Sequence, residues 1–133
     1  MKKGYKDNIE QATLANENFR KVLYTAQYSQ LVLMSLNPGE DIGLEVHADG
    51  DQFFRFEQGE GKVVINETEY DVKDGDSVVV PAGAQHNVIN MSDSTALKLY
   101  TLYSPPHHQD GIVRATKQIA IEEGGDFNGQ ISE

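Results

Sequence analysis

The sequence predicts an all-β fold, an antiparallel sandwich or barrel. Three observations carry that expectation. From Phe19 onward the chain breaks into short segments rich in β-branched and aromatic residues. Turn signals separate those segments at near-even spacing. Hydrophobic residues make up 38% of the chain, and twelve glycines are available for turns, a balance that fits a globular protein.

The elements follow in order. Residues 8–18, "NIEQATLANEN", are polar, with Ile9, Ala12 and Leu14 spaced for a helical turn or an edge segment. Strand-like segments then run "FRKVLYT", "QLVLMSL", "LEVHA", "QFFRFEQ", "KVVIN", "EYDV", "DSVVVP", "HNVINM" and "ALKLYTLY". The turns are Asn37-Pro38-Gly39, Asp49-Gly50-Asp51, Asp74-Gly75-Asp76 and Pro81-Ala82-Gly83. After Tyr103, "SPPHHQDG" reads as a loop, residues 112–123 as a short amphipathic helix, and the last ten residues as loose. The expected division is an N-terminal arm over residues 1–18, a barrel over 19–104 and a C-terminal helical or loop extension over 105–133.

With 133 residues the chain suits one domain with a real core. No run approaches the ~20 apolar residues of a membrane span. "MKKGYKDNIEQ" has a basic start but no apolar stretch behind it, so it is not a secretory signal, and a cytoplasmic protein is expected. A net charge of −10, with only Arg20, Arg55 and Arg114 as arginines, argues against nucleic acid or an anionic membrane as partner. The absence of cysteine excludes thiolate metal sites and cysteine nucleophiles.

Chemistry concentrates in "GLEVHADGDQFFRFEQG", residues 43–59. Side chains at i and i+2 of a strand share a face. Glu45 and His47 therefore project together, and the "ADGD" turn swings Gln52 back beside them. Phe54 and Phe56 share the parity of Gln52, whereas Phe53, Arg55 and Glu57 face away. A metal ion would satisfy such converging polar groups on an apolar face; so would a hydrogen-bond cluster, or solvent. A second stretch, "GDSVVVPAGAQHNVIN", brings His86 to a strand end, with Val88 and Asn90 on its face. Two imidazoles, a carboxylate and an amide form a first shell suited to a divalent transition metal.

These two stretches resemble the motifs of the cupin family. The second motif is matched at every fixed position, by Gly75, Pro81, Gly83, His86 and Asn90. The first, Gly-x5-His-x-His-x3–4-Glu-x6-Gly, is matched in spacing from its histidine pair to Gly59; its opening glycine is out of register. The resemblance covers residues 30–103 and implies a small cupin with a double-stranded antiparallel β-barrel of jelly-roll type and a metal inside. Glu45 stands where the family has the first histidine, and Gln52 where it has glutamate. One carboxylate remains, so the charge of the ligand set is unchanged; the rival reading is a retired site whose Glu45 and Gln52 only hydrogen-bond. The resemblance to small cupins with glutamine at that position, including those that open unsaturated uronate sugars, implies that Gln52 can ligate. Mn, Fe, Ni, Co and Zn all suit such a set.

A pocket lined by Phe54, Phe56 and Val88 is expected around the metal. Tyr103, sharing parity with Leu97, Leu99 and Thr101, and His107 beyond Pro105-Pro106 are the acid-base candidates. A small-molecule ligand follows, with three functional readings. These are a metal-dependent isomerase or lyase acting on a sugar-like or keto-acid carbonyl compound, an Fe-dependent dioxygenase, and a non-catalytic binding module. A phosphorylated substrate is not expected, because Arg55 faces outward and neither motif carries a basic residue on the metal face. Phe53, Tyr100 and Leu102, on the opposite strand faces, suggest a homodimer.

Overall fold

Alternation of side chains along the strands sets the architecture. The computed structural model describes residues 1–133. Strand β1 is Arg20–Thr25, β2 Gln30–Leu36, β3 Glu45–Val46, β4 Asp51–Gln58 and β5 Glu60–Ile65. They are followed by β6 Thr68–Lys73, β7 Ser77–Val80, β8 Gln85–Asn90, β9 Leu97–Ser104 and β10 Val113–Arg114. Along β4, Gln52, Phe54 and Phe56 are buried while Phe53 and Arg55 face outward, as period-two patterning requires.

Every strand pairing is antiparallel. One sheet has the order β10-β1-β2-β9-β4-β7 and the other β3-β8-β5-β6. The core lies between them. Val32, Met34, Leu36, Phe54, Phe56, Leu97 and Leu99 from the first sheet meet Val63, Val72 and Val88 from the second. Burial of each such side chain stabilises the fold by about 1.5–3 kcal/mol.

Register divides the interior into layers. Gln30 lies opposite Tyr103, and Tyr103 opposite Gln52, so one end of the barrel is polar. Val32, Thr101 and Phe54 form the next layer, and Met34, Leu99 and Phe56 the one beyond it. Arg20 on β1 pairs with Met34 and so faces inward with that apolar layer.

Helix α1 (Ile9–Ala15) covers part of the outer face of the six-stranded sheet. Asn8 caps it by accepting a hydrogen bond from the Gln11 amide, and Lys98 Nζ reaches the Leu14 carbonyl at 2.7 Å. The C-terminal region differs from its sequence reading in two respects. Helix α2 begins only at Lys117 and ends at Glu123, because Val113 and Arg114 instead pair with β1 and cover its edge. Thr116 then caps the helix by accepting from the Ile119 amide. The final residues are not loose. Ser132 N donates to the Thr25 carbonyl at 2.9 Å, and the Glu133 carboxylate accepts from the Lys3 and Gly4 amides. No helix is long and apolar enough to cross a membrane.

Candidate metal centre

The β3–β8 pairing brings the two motifs together. Glu45 lies directly opposite His86. Strand β3 stops at Val46, shorter than "LEVHA" suggests, because the His47 carbonyl is taken by the Gly83 amide at 2.9 Å. That bond, with Ala82 N donating to Asp51 Oδ1 at 2.9 Å, ties the β3–β4 turn to the β7–β8 turn. The backbone thus fixes one motif against the other.

Ligand atoms of Glu45, His47 and His86 lie within 4.8 Å of one another. His47 Nε2 is 3.2 Å from Glu45 Oε2, a separation close to that of two ligands sharing one ion at about 2.1 Å each. His86 Nδ1 donates to the Ala84 carbonyl at 3.1 Å, which leaves the Nε2 lone pair free. His86 Nε2 is buried without a partner. Gln52 Oε1 is also buried and unpaired, while its Nε2 donates to Thr101 Oγ1 at 3.0 Å. Buried acceptors are rarely left unpaired, and a cation is the partner both atoms suit. The residues present therefore fit a metal. Burial alone would raise the Glu45 carboxyl, but the His47 hydrogen bond, then the charges of His47, Arg20 and His86, hold it below the ordinary carboxylate value.

Phe54 sits 6.3 Å from His86, ring to ring, and Phe56 stacks on Phe54 at 6.4 Å. Val88, two residues beyond His86, is fully buried. These three form the floor beneath the ligands. The opening is a cleft between residues 46–51 and the segment from Tyr103 to His107.

All four histidines of the chain meet here. His107 lies 4.3 Å from the His47 ring and stacks on Tyr103 at 5.3 Å. Tyr103 is buried, its ring 5.8 Å from His47, and its hydroxyl is 3.2 Å from His108 Nε2. Burial, reinforced by the Glu45 charge, pushes the Tyr103 phenol up, so it keeps its proton. Burial and then the His47 charge lower His107. Burial, followed by the charge of Arg20, pushes His108 down to about 2.

Two residues at the site, Gln30 and Arg20, were not singled out in the sequence. His108, in the segment read as a loop after Tyr103, is buried. Gln30 opens β2, is fully buried, and anchors the histidine loop through the His107 and His108 amides and the His108 carbonyl. Arg20 lies ahead of both motifs, and its charge acts on Glu45, Tyr103, His107 and His108. Neither motif carries a basic residue on the metal face; Arg20 comes from outside both, on β1. The inward parity of Gln30 and Arg20 was the only available signal, and it needed the β1–β2–β9 register to be read.

The Cupin domain family pattern matches residues 32–103. The chain is 48% identical over 120 residues to YrkC of Bacillus subtilis (strain 168), covering 86% of this chain and 64% of that protein. It therefore spans less than two thirds of the length of YrkC. It is 40% identical over 129 residues to L612 of Acanthamoeba polyphaga mimivirus, covering 92% of this chain and 81% of that one. Among solved structures, BH2720 of Bacillus halodurans superposes with a TM-score of 0.88 at 41% identity, covering 90% of this chain and 95% of that chain.

Proposed function

The chain belongs to the cupin-domain family, and from its site we propose a metal-dependent enzyme that isomerises, or eliminates from, a small sugar-like or keto-acid carbonyl compound. One observation carries the reading. Glu45, His47 and His86 converge, with His86 Nε2 and Gln52 Oε1 buried and unpaired beside an open cleft. Glu45, His47, His86 and the Gln52 amide oxygen would hold a divalent Mn, Fe, Ni, Co or Zn ion, which when bound polarises a carbonyl oxygen.

The chain's own groups handle the proton. His107 is neutral at pH 7, lines the cleft and accepts a proton from the carbon next to the carbonyl. Tyr103 keeps its proton and donates a hydrogen bond, with neutral His108 fixing its hydroxyl. Phe54 and Val88 exclude water from the floor.

The first test is elemental analysis of tag-free protein beside His86→Ala. Near one equivalent of metal in the wild type, lost in the variant, supports the site. The reaction class is then read by deuterium uptake from heavy water into a panel of keto acids and keto sugars. Exchange that needs the metal and falls at least tenfold in His107→Ala supports the proposal. A second reading rests on Glu45, His47 and His86 alone, a two-histidine-one-carboxylate set that suits Fe(II) and oxygen chemistry. Iron in the protein with oxygen consumed would favour it. Ligand binding with neither activity would leave a non-catalytic binding module.

A further inference from the structure

Arg20 is the least explained side chain in the barrel. It is 8% exposed, and its Nε is sealed from solvent without a partner. None of its guanidinium nitrogens makes a hydrogen bond, and no carboxylate lies within 4.0 Å; the ion pairs of the chain involve His47, Arg55, Lys62, Arg114 and Lys117. Its guanidinium carbon lies 5.4 Å from the centre of the Phe19 ring. A guanidinium cannot shed its charge on burial as a lysine can. An unpaired buried charge is costly, so nothing in the fold rewards its retention. Glu45, the carboxylate of the site, is already bonded to His47.

The charge balance points the same way. Glu45 and Arg20 cancel, and the histidines of the cleft contribute none when neutral. A divalent ion then leaves the interior at +2, which an anionic ligand would offset.

We infer that Arg20, buried and facing the barrel interior, is its anion-binding residue, and that its fork takes the oxyanionic group, carboxylate or phosphate, of the ligand held beside Glu45, His47 and His86. The second half rests on the proposed function; the first does not. A planar guanidinium matches the two oxygens of either group. The substrate is thus an anionic carbonyl compound rather than a neutral sugar, with the anion toward β1 and the carbonyl toward β3 and β8.

The test is thermal unfolding of the full chain in sodium malonate, sodium phosphate and sodium chloride at matched ionic strength. Wild type, Arg20→Met and Arg20→Lys are compared, each metal-loaded and EDTA-treated, with metal content measured throughout. Saturable stabilisation of EDTA-treated wild type beyond chloride is expected. Half-saturation should shift at least tenfold in Arg20→Met and by a smaller factor in Arg20→Lys, which keeps the charge without the fork. A response to malonate alone assigns a carboxylate; a response to phosphate alone assigns a phosphate. Without added anion, Arg20→Met should unfold at a higher temperature than wild type, because an unpaired charge has been removed. Neither anion exceeding chloride, an Arg20→Met variant responding like wild type, or one that unfolds earlier or fails to fold would overturn the assignment. A wild type that takes up no metal yet responds to anions through Arg20 would sink the proposed function and leave the anion site standing.

Discussion

His86 illustrates how one backbone contact prepares a ligand. Its Nδ1–H is held by the Ala84 carbonyl, so the Nε2 lone pair is presented into a space where nothing else meets it. Removing the imidazole in His86→Ala should abolish metal binding. Gln52→Ala, which deletes one oxygen and leaves the other three groups, should weaken it by about 10–100-fold, the range seen when a supporting group is lost. Metal-competition titration separates the two, and a Gln52→Ala variant with unchanged affinity would show that the amide does not ligate. His108 makes a different prediction. It faces Tyr103 and His107, with Arg20, His47 and Arg114 near enough for their charges to act on it, and it stays neutral down to about pH 2. An unfolded histidine titrates near pH 6.5. Between these values the unfolded chain binds more protons, so stability is full above pH 6.5 and is lost as pH falls. From pH 7 to pH 5 this group alone should cost about 2 kcal/mol. Urea unfolding of EDTA-treated wild type and His108→Gln at both pH values checks it; parallel declines would mean that His108 takes up its proton without unfolding. At this scale the legible residues were those whose position follows from local spacing. Glu45, His47, Gln52 and His86 sit within a few residues of a turn and inherit their direction from it. Arg20, Gln30 and His108 acquire theirs from partners 14 to 78 positions away, through β1–β2 pairing and the Gln30–His108 hydrogen bonds.

Elements hold the site because turns hold the elements. The glycine that closes the first motif, Gly59, has φ +94°, and a Cβ there would lie 2.7 Å from the Ala96 carbonyl oxygen. Backbone cannot yield as a side-chain tip can. Gly83, in the second motif, has φ +85° but open space where a Cβ would go. Gly59→Ala should therefore cost about 2–4 kcal/mol, from left-handed strain and the clash together. Gly83→Ala should cost about 1–2 kcal/mol, from strain alone. Urea denaturation ranks them, and equal costs would mean that the β9 entry shifts to make room. Asn90, on the interior face with His86, has a structural role. Its amide donates to the Leu36, Asn37 and Thr95 carbonyls, fastening the end of β8 to β2 and to the approach to β9. Most strands were readable from period-two patterning between turn signals. β3 came out shorter than its apolar run because a backbone bond from Gly83 competes for it. The helix expected over 112–123 lost its first turn to strand pairing with β1, since an open sheet edge outweighs weak helical propensity over so few residues.

The whole molecule keeps its polar chemistry at one end of the barrel and a row of apolar side chains across the outside of the six-stranded sheet. Helix α1 shields part of that outer face, where Leu33 is buried. The neighbouring row is half-buried, with Val79 at its exposed end. Val79 pairs with Phe53, Phe53 with Leu102, Leu102 with Leu31, and Leu31 with Tyr24, so five apolar side chains run across five strands. Val79 is 64% exposed, and the Phe53 and Tyr100 rings meet at 6.4 Å beside the row. Contiguous apolar surface of this kind marks a contact face, and a second copy of the chain is the partner we expect, because a sheet face can pair with itself about a twofold axis. Static light scattering after size exclusion should give twice the 14.7 kDa chain mass. Phe53→Glu places a charge within the row, on the face of β4 opposite the interior, and should return the monomer mass while leaving metal content unchanged. A wild type already at the monomer mass would end the proposal. A variant that stays dimeric would move the interface to another face of the barrel. One that becomes monomeric and also loses its metal would mean that the outer sheet face and the site are coupled through β4, the strand that carries both Phe53 and Gln52.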